Sequence, residues 1–260
     1  MEKLYLKTVK NASVGGISLW NNTDFVVSNI EGLRLGKKEL ALSTMPYIDG
    51  DIVQNIVGSP RDITVEIKPT ENTGDFSQTY DLFSKHLGKT VYLLWVDRKT
   101  IEGTFSMLLE GVMTECEMPM FSEDVRLTFT IHCSNPYWQH GYKKTVSDTT
   151  EATILGSAPP SNVKITIPNG TIPAAGEMFI GQNSGVEGWI LISPTSDITG
   201  TIIAQTNPIS LKVNGTSHLE AISNGFRLSE LGKIIQCMSI QHPAPATPNT
   251  FSIEYIPQWY

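Results

Sequence analysis

A few residues in this 260-residue chain have types and spacings that could do chemistry. Asp49-Gly50-Asp51 sets two carboxylates close together, as a cation loop does. Calcium takes roughly six to eight oxygens, and the rest of such a loop is missing. The Asp-Gly pair reads instead as a turn, because both residues tolerate positive φ. Glu115 and Glu117 fall on one face of a strand, where a glycosidase could hold its acid and base. The facing carboxylate such a pair needs is not visible, so a solvated strand face is the preferred reading. Trp189, Trp259 and Tyr260 could stack on a sugar ring; core or interface packing is the plainer reading. Cys116, Cys133 and Cys237 form no CxxC, and no histidine stands at metal-ligand spacing. They read as reduced thiols, with Cys116 and Cys133 able to face each other on neighbouring strands.

The remaining signals are weaker. His86, His132, His140, His218 and His242 are scattered, and His132 reads as a surface residue. Asn11, Asn21, Asn169 and Asn214 match the glycosylation pattern, which means little without a signal peptide. The chain has no GxSxG, HExxH, phosphate-binding loop or GxGxxG. The expectation is therefore no enzyme, with no catalytic residues, no cofactor-binding residues and no metal ligands. The net charge of −7 lacks the basic face that nucleic acid or an anionic membrane requires. No window approaches the length of a membrane-spanning apolar helix. The amino-terminal MEKLYLKTVK has no apolar signal core, which implies a protein made and kept in a cytoplasm or released by lysis.

Strands must position these residues. Val125, Leu127, Phe129, Ile131 and Cys133 alternate with Arg126, Thr128, Thr130, His132 and Ser134. That period of two predicts a long strand with one face on a core. Pro136 lacks a backbone N–H and restricts Asn135, so the ladder stops there, and Tyr137 and Trp138 follow as an aromatic plug. Arg61 to Lys68 alternates as strictly, with Ile63, Val65 and Ile67 inward, and Pro69 ends it. One helix is predicted over 76–87, with Phe76, Tyr80, Phe83 and Leu87 on one face. Asp75 or Ser77 can cap its start, and Gly88 suits a left-handed end. Thr90–Val96 reads as a buried strand, Asp97-Arg98-Lys99 as a charged turn, and Leu108–Glu117 as a further strand. Before residue 60 the pattern gives short strands and turns, with a loop or hairpin over Met45–Val57.

Charge density then falls, from 33 charged side chains in residues 1–144 to 12 in residues 145–260. The predicted boundary puts a β domain at 1–140, a linker at about 141–160, and a second domain over 141–260. That second half reads as short apolar strands at 163–167, 178–180, 189–192, 198–203, 209–213, 226–228, 234–240 and 251–256. Asn169-Gly170, Asn214-Gly215 and Asn224-Gly225 are hairpin signals between them. The fold class is all-β with one helix: two β-sandwich-like domains, the second of galectin-like or jelly-roll kind.

The order of these elements carries a resemblance. The strand RDITVEI, the helix, the strand VYLLWV with its DRK, the strand at 108–117, the Pro119 turn and the strand running into SNPYW occur together over about residues 50–138. In this the chain resembles the distal tail (Dit) proteins of long-tailed bacteriophages. The resemblance implies a structural virion protein of the tail tip, assembled in the host bacterial cytoplasm. It implies a homohexameric ring whose amino-terminal domain forms the inner belt and whose carboxy-terminal sandwich projects outward. The implied partners are further copies of itself, the tail tube protein, the tail-associated hub protein and receptor-binding proteins. No nucleic acid contact is expected beyond DNA passing through the ring, and no membrane. Two other classes remain open on the residues alone: a carbohydrate-binding module or adhesin subunit recognising cell-surface glycans, and a glycoside-active enzyme on a β-sandwich.

Overall fold

The computed structural model describes residues 2–11, 13, 15–33, 38–44, 51–70, 76–119, 125–172, 174, 176–181, 190–224, 234–241 and 247–260. It divides into two compact units, Met1–Gly141 with Tyr260, and Tyr142–Trp259.

The first unit holds β1 (Lys3–Lys7), β2 (Ile17–Ser18), β3 (Phe25–Glu31), β4 (Lys38–Thr44), β5 (Asp51–Gly58), β6 (Arg61–Pro69), helix α1 (Ser77–Ser84), β7 (Thr90–Thr100), β8 (Gly103–Glu117), β9 (Leu127–Cys133) and β10 (Trp138–His140). The main sheet is antiparallel, in the order β2-β1-β7-β8-β9-β6-β3. β4 and β5 pair with each other as a separate hairpin. The alternation read from the sequence sets the register at the centre of the sheet. Ile63, Val65 and Ile67 of β6 stand opposite Ile131, Phe129 and Leu127 of β9. All six are buried. A shift of one residue would turn every one of them to the other face, so the buried face holds the pairing in place.

β8 is the long spine. Near its end it pairs with β9, Val112 opposite His132 and Glu117 opposite Thr128. Lower on the strand, Met107 and Leu108 pair with His140 and Gln139 of β10. The predicted stop at Pro136 is thus a break between two strands. The chain leaves β9 after Cys133 and returns to pair with β8 as β10. Gly111 lies between these two pairings. A Cβ there would come within 2.5 Å of Ile131 Cγ2 and 2.8 Å of the His132 carbonyl oxygen, so close strand approach excludes a side chain.

Several expectations are corrected. Val125 is exposed and precedes the strand. The helix is shorter than predicted, Ser77–Ser84, with no side-chain cap at its start. Its buried residues are Phe76, Thr79, Phe83 and, in the turn beyond, His86. Leu87 is exposed and Tyr80 half-buried. The helical period ends at Ser84, so the following turn rotates His86 inward in place of Leu87. Phe83 stacks on Phe129 with centroids 4.8 Å apart and meets Phe25 edge-on at 5.6 Å, which docks α1 on the sheet. Gly88 does take a left-handed φ of +71°. Asp97-Arg98-Lys99 is no turn: β7 runs through it to Thr100. Asp97 at φ +57° and a register shift between Trp95 and Arg98 make an irregularity inside the strand. The reversal comes at Ile101-Glu102.

The second unit holds β11 (Lys144–Thr149), β12 (Glu151–Thr153), β13 (Ala158–Ile172), β14 (Gly176–Gly181), β15 (Ile190–Ile192), β16 (Ile198–Thr206), β17 (Ile209–Val213), β18 (Thr216–Ser217), β19 (Ile222–Asn224), β20 (Ile234–Gln241), β21 (Thr247–Pro248) and β22 (Phe251–Trp259). One sheet runs β18-β17-β16-β13-β22-β11, the other β12-β20-β14-β15-β19 with β21 beside β20. Ile165, Ile202, Leu211 and Ile253 from the first sheet share a core with Met178, Ile180, Ile192 and Ile235 from the second. The stretch 141–160, read as a linker, supplies β11, β12 and the start of β13. Asn214-Gly215 forms its predicted turn with both residues at positive φ. Asn169-Gly170 does not: β13 continues through it. A Cβ on Gly170 would lie 2.4 Å from Ile202 Cδ1, so this glycine serves close packing. Gly225 and 226–228 lie outside the described residues.

Candidate interaction surface

The residues singled out for chemistry do not converge. Asp49 and Trp189 lie outside the described residues, and Asp51 opens β5. Glu115 and Glu117 are exposed on one edge of β8, and the Glu115 carboxylate accepts a hydrogen bond from Thr130 Oγ1 at 3.0 Å. Trp259 is only 3 % exposed, which removes it as a sugar platform. The Tyr260 ring meets Tyr137 edge-on at 5.4 Å. Cys116 and Cys133 do not face each other. Cys116 stands opposite Phe129 and Cys133 opposite Arg61, and all three cysteines are free and buried. Burial pushes the Cys116 and Cys133 thiols up to about 11. His132 holds Asp62 through Nδ1 at 2.7 Å, His140 meets Phe105 edge-on, and His242 lies outside the described residues. Among the described residues no group of His, Cys, Asp and Glu could hold a metal.

The outward face of β3, β6 and β9 is a polar ladder. Glu66 accepts from Ser28 Oγ at 2.6 Å and from Arg126 Nη1 at 3.0 Å. These two hydrogen bonds, the Ser28 one first, hold its carboxyl below the usual range. Thr64 and Thr130 stand opposite each other with hydroxyls 3.4 Å apart. This face offers hydrogen bonds and charge, the His132–Asp62 contact among them.

The aromatic plug became a cluster. Trp138 is fully buried, edge-on to Trp95 at 5.3 Å, and its indole N–H donates to the Leu33 carbonyl at 3.3 Å. The guanidinium groups of Arg61 and Arg98 lie 5.6 and 5.8 Å from its ring centroid. Arg98 also donates to the Tyr260 carbonyl oxygen at 2.9 Å. Arg61 is buried with Nε and one Nη lacking any hydrogen-bond partner. Burial, reinforced by the Arg98 charge, brings its guanidinium down to about 10. The cluster joins β6, β7 and β10 and orders the place where the chain leaves β9.

An apolar groove of about 690 Å³ opens beside it. β1 and the segment after β2 form one side, edge strand β3 the other, with Trp20, Phe25, Val26, Leu33 and Trp95 in its lining. Trp20 and Val26 are half exposed. Such a lining suits the covering of apolar surface rather than bond-making chemistry. The sequence reading passed over Trp20. The signal available was a tryptophan set directly before the turn residues Asn21-Asn22.

The fold and these surfaces define a class: a two-unit, all-β chain with the fold of phage Dit proteins. One solved structure that it matches over its whole length is the Dit protein of phage SPP1, described as a paradigm of the hub adsorption apparatus in phages infecting Gram-positive bacteria. The TM-score is 0.53, at 14 % identity, with 100 % of each chain covered. Chains of the phage P2 baseplate in its activated conformation also match. With calcium the TM-score is 0.42 at 8 % identity, covering 99 % of this chain and 98 % of that one. With strontium it is 0.40 at 10 % identity, covering 98 % of each. No protein-family profile and no curated protein matches the sequence.

Proposed function

We propose that this chain is a structural virion protein of a phage tail tip, forming a hexameric ring that joins the tail tube to the hub and anchors host-recognition proteins. The observation that carries the reading is the end-to-end likeness in fold to the SPP1 Dit protein. Residues 1–140 form the belt of the ring, and residues 141–260, a galectin-like sandwich, project outward. The chain has no catalytic role. Its partners are further copies of itself, the tail tube protein, the tail-associated hub protein and receptor-binding proteins, and it assembles in the host cytoplasm before residing in the virion. Head-to-tail contacts between identical subunits close into a ring when the rotation is right. The apolar groove agrees with a protein that works through contacts.

The test is mass and shape together. Six chains of 28.6 kDa have a mass of about 172 kDa by light scattering and give an annulus with an open centre in negative stain. A chain that stays monomeric at every concentration, and forms no ring when co-expressed with tube and hub proteins, would overturn the reading.

A further inference from the structure

Arg61 is 7 % exposed, and its Nε and Nη2 have no hydrogen-bond partner in the chain. Nη1 reaches the Gly32 carbonyl oxygen at 3.5 Å, beyond the usual length of such a bond. Nε and Nη2 share one edge of the guanidinium. Their parallel N–H bonds form the side-on fork that grips the two oxygens of a carboxylate. Ser59 Oγ, two residues earlier in the chain and also buried, is a third polar group without a partner. Buried polar groups are nearly always paired, and a buried cation with open donors is the costlier case. Nearby groups do not fill the fork. Asp62 follows Arg61 and so points to the opposite face of β6, where it holds His132. The Leu33 carbonyl already accepts the Trp138 indole N–H. Arg98 lies over the same Trp138 ring as Arg61, so the local field is positive. Burial leaves Arg61 with a pKa of about 10, still charged at neutral pH.

We propose that this fork binds a small carboxylate, with Arg61 Nε and Nη2 donating to its two oxygens, Ser59 Oγ as a further donor and Arg98 as a second positive charge. The Trp138 ring, 5.6 Å from the Arg61 guanidinium carbon, fixes the side chain that carries the fork. The apolar groove supplies the approach, since Leu33 and Trp95 line it and both contact Trp138. The ordinary alternative is buried water on the open N–H groups. Water satisfies the hydrogen bonds but leaves two neighbouring cations uncancelled, whereas a carboxylate supplies both the acceptors and the charge. The site lies within one chain and stands whether or not the ring forms.

Acetate and formate are the probes, with chloride at matched ionic strength as the control. Scanning calorimetry of the full chain at about pH 7 follows the melting temperature as each anion is titrated. A ligand that binds only the folded chain raises it, by roughly 3–6 °C at tenfold above the dissociation constant, and the rise saturates as a single site. Arg61→Met fills the same space without the fork and loses the response. Arg61→Lys keeps the charge but replaces the fork with a point donor, and it loses most of the response. Ser59→Ala weakens it. General salt effects on the surface act equally on all four chains, so the difference from Arg61→Met isolates the site. If Arg61→Met does not fold, Arg61→Lys carries the comparison. The proposal is overturned by acetate and formate shifts equal to those of chloride, the outcome expected for buried water. It is equally overturned by a carboxylate shift that survives undiminished in Arg61→Met or Arg61→Lys.

Discussion

Trp138→Ala removes the residue on which the most unlike interactions meet. The indole is fully buried, so its loss carries the transfer and cavity cost of a large core truncation, about 3–5 kcal/mol. Its edge-on contact with Trp95, its faces toward Arg61 and Arg98, and its hydrogen bond to Leu33 place the expected value at the upper end, about 4–5 kcal/mol. That is a large share of the roughly 5–15 kcal/mol available to an ordinary domain. Arg61→Met behaves differently. It removes a buried cation with two unpartnered nitrogens and fills the space with an apolar chain, so it costs under about 1 kcal/mol or stabilises. Combined with Trp138→Ala it becomes stabilising, because Arg61 has by then lost the aromatic face opposite it. The coupling in this double-mutant cycle should be about 1 kcal/mol. Scanning calorimetry of the full chain, with far-ultraviolet circular dichroism as a second probe, measures both without relying on tryptophan fluorescence. A cost for Trp138→Ala below about 1 kcal/mol, or Arg61→Met as damaging as Trp138→Ala, would refute the reasoning.

Gly111→Ala should destabilise by about 1–3 kcal/mol in urea unfolding, because its Cβ meets Ile131 Cγ2 and the His132 carbonyl inside ordinary contact distance. Glu66 has a folded pKa below the ordinary 4.5, so its contribution is present above that value and is lost as pH falls through the folded pKa. Glu66→Gln should therefore flatten the fall in melting temperature on the acid side of about 4.5. The buried thiols, with Cys116 and Cys133 near 11, should react slowly with a thiol reagent at neutral pH and all react on unfolding. Rapid labelling of the native chain would contradict their burial.

Local sequence determined what depends on neighbouring residues. The period of two placed Ile63, Val65, Ile67, Leu127, Phe129 and Ile131 on a buried face, because alternate strand residues share a side of the sheet. Pro136 ended its strand because it has no N–H to donate. Asn214-Gly215 made its turn because both residues accept positive φ. The all-β class followed from the same signals. What stayed illegible depended on partners distant in the chain. Whether Gly170 turns the chain or sits within a strand was decided by Ile202 across the ladder. Asp97-Arg98-Lys99 looked like a turn by polarity, yet β8 offered those residues a pairing edge and a local irregularity took up the mismatch. Cys116 and Cys133 were separated by the β8–β9 register, and His86 was turned inward by where the helix stopped. The meeting of Arg61, Arg98 and Trp138, from three separate strands, exists only once the sheet has closed around them, because register and side-chain convergence are properties of the assembled sheet rather than of any one segment.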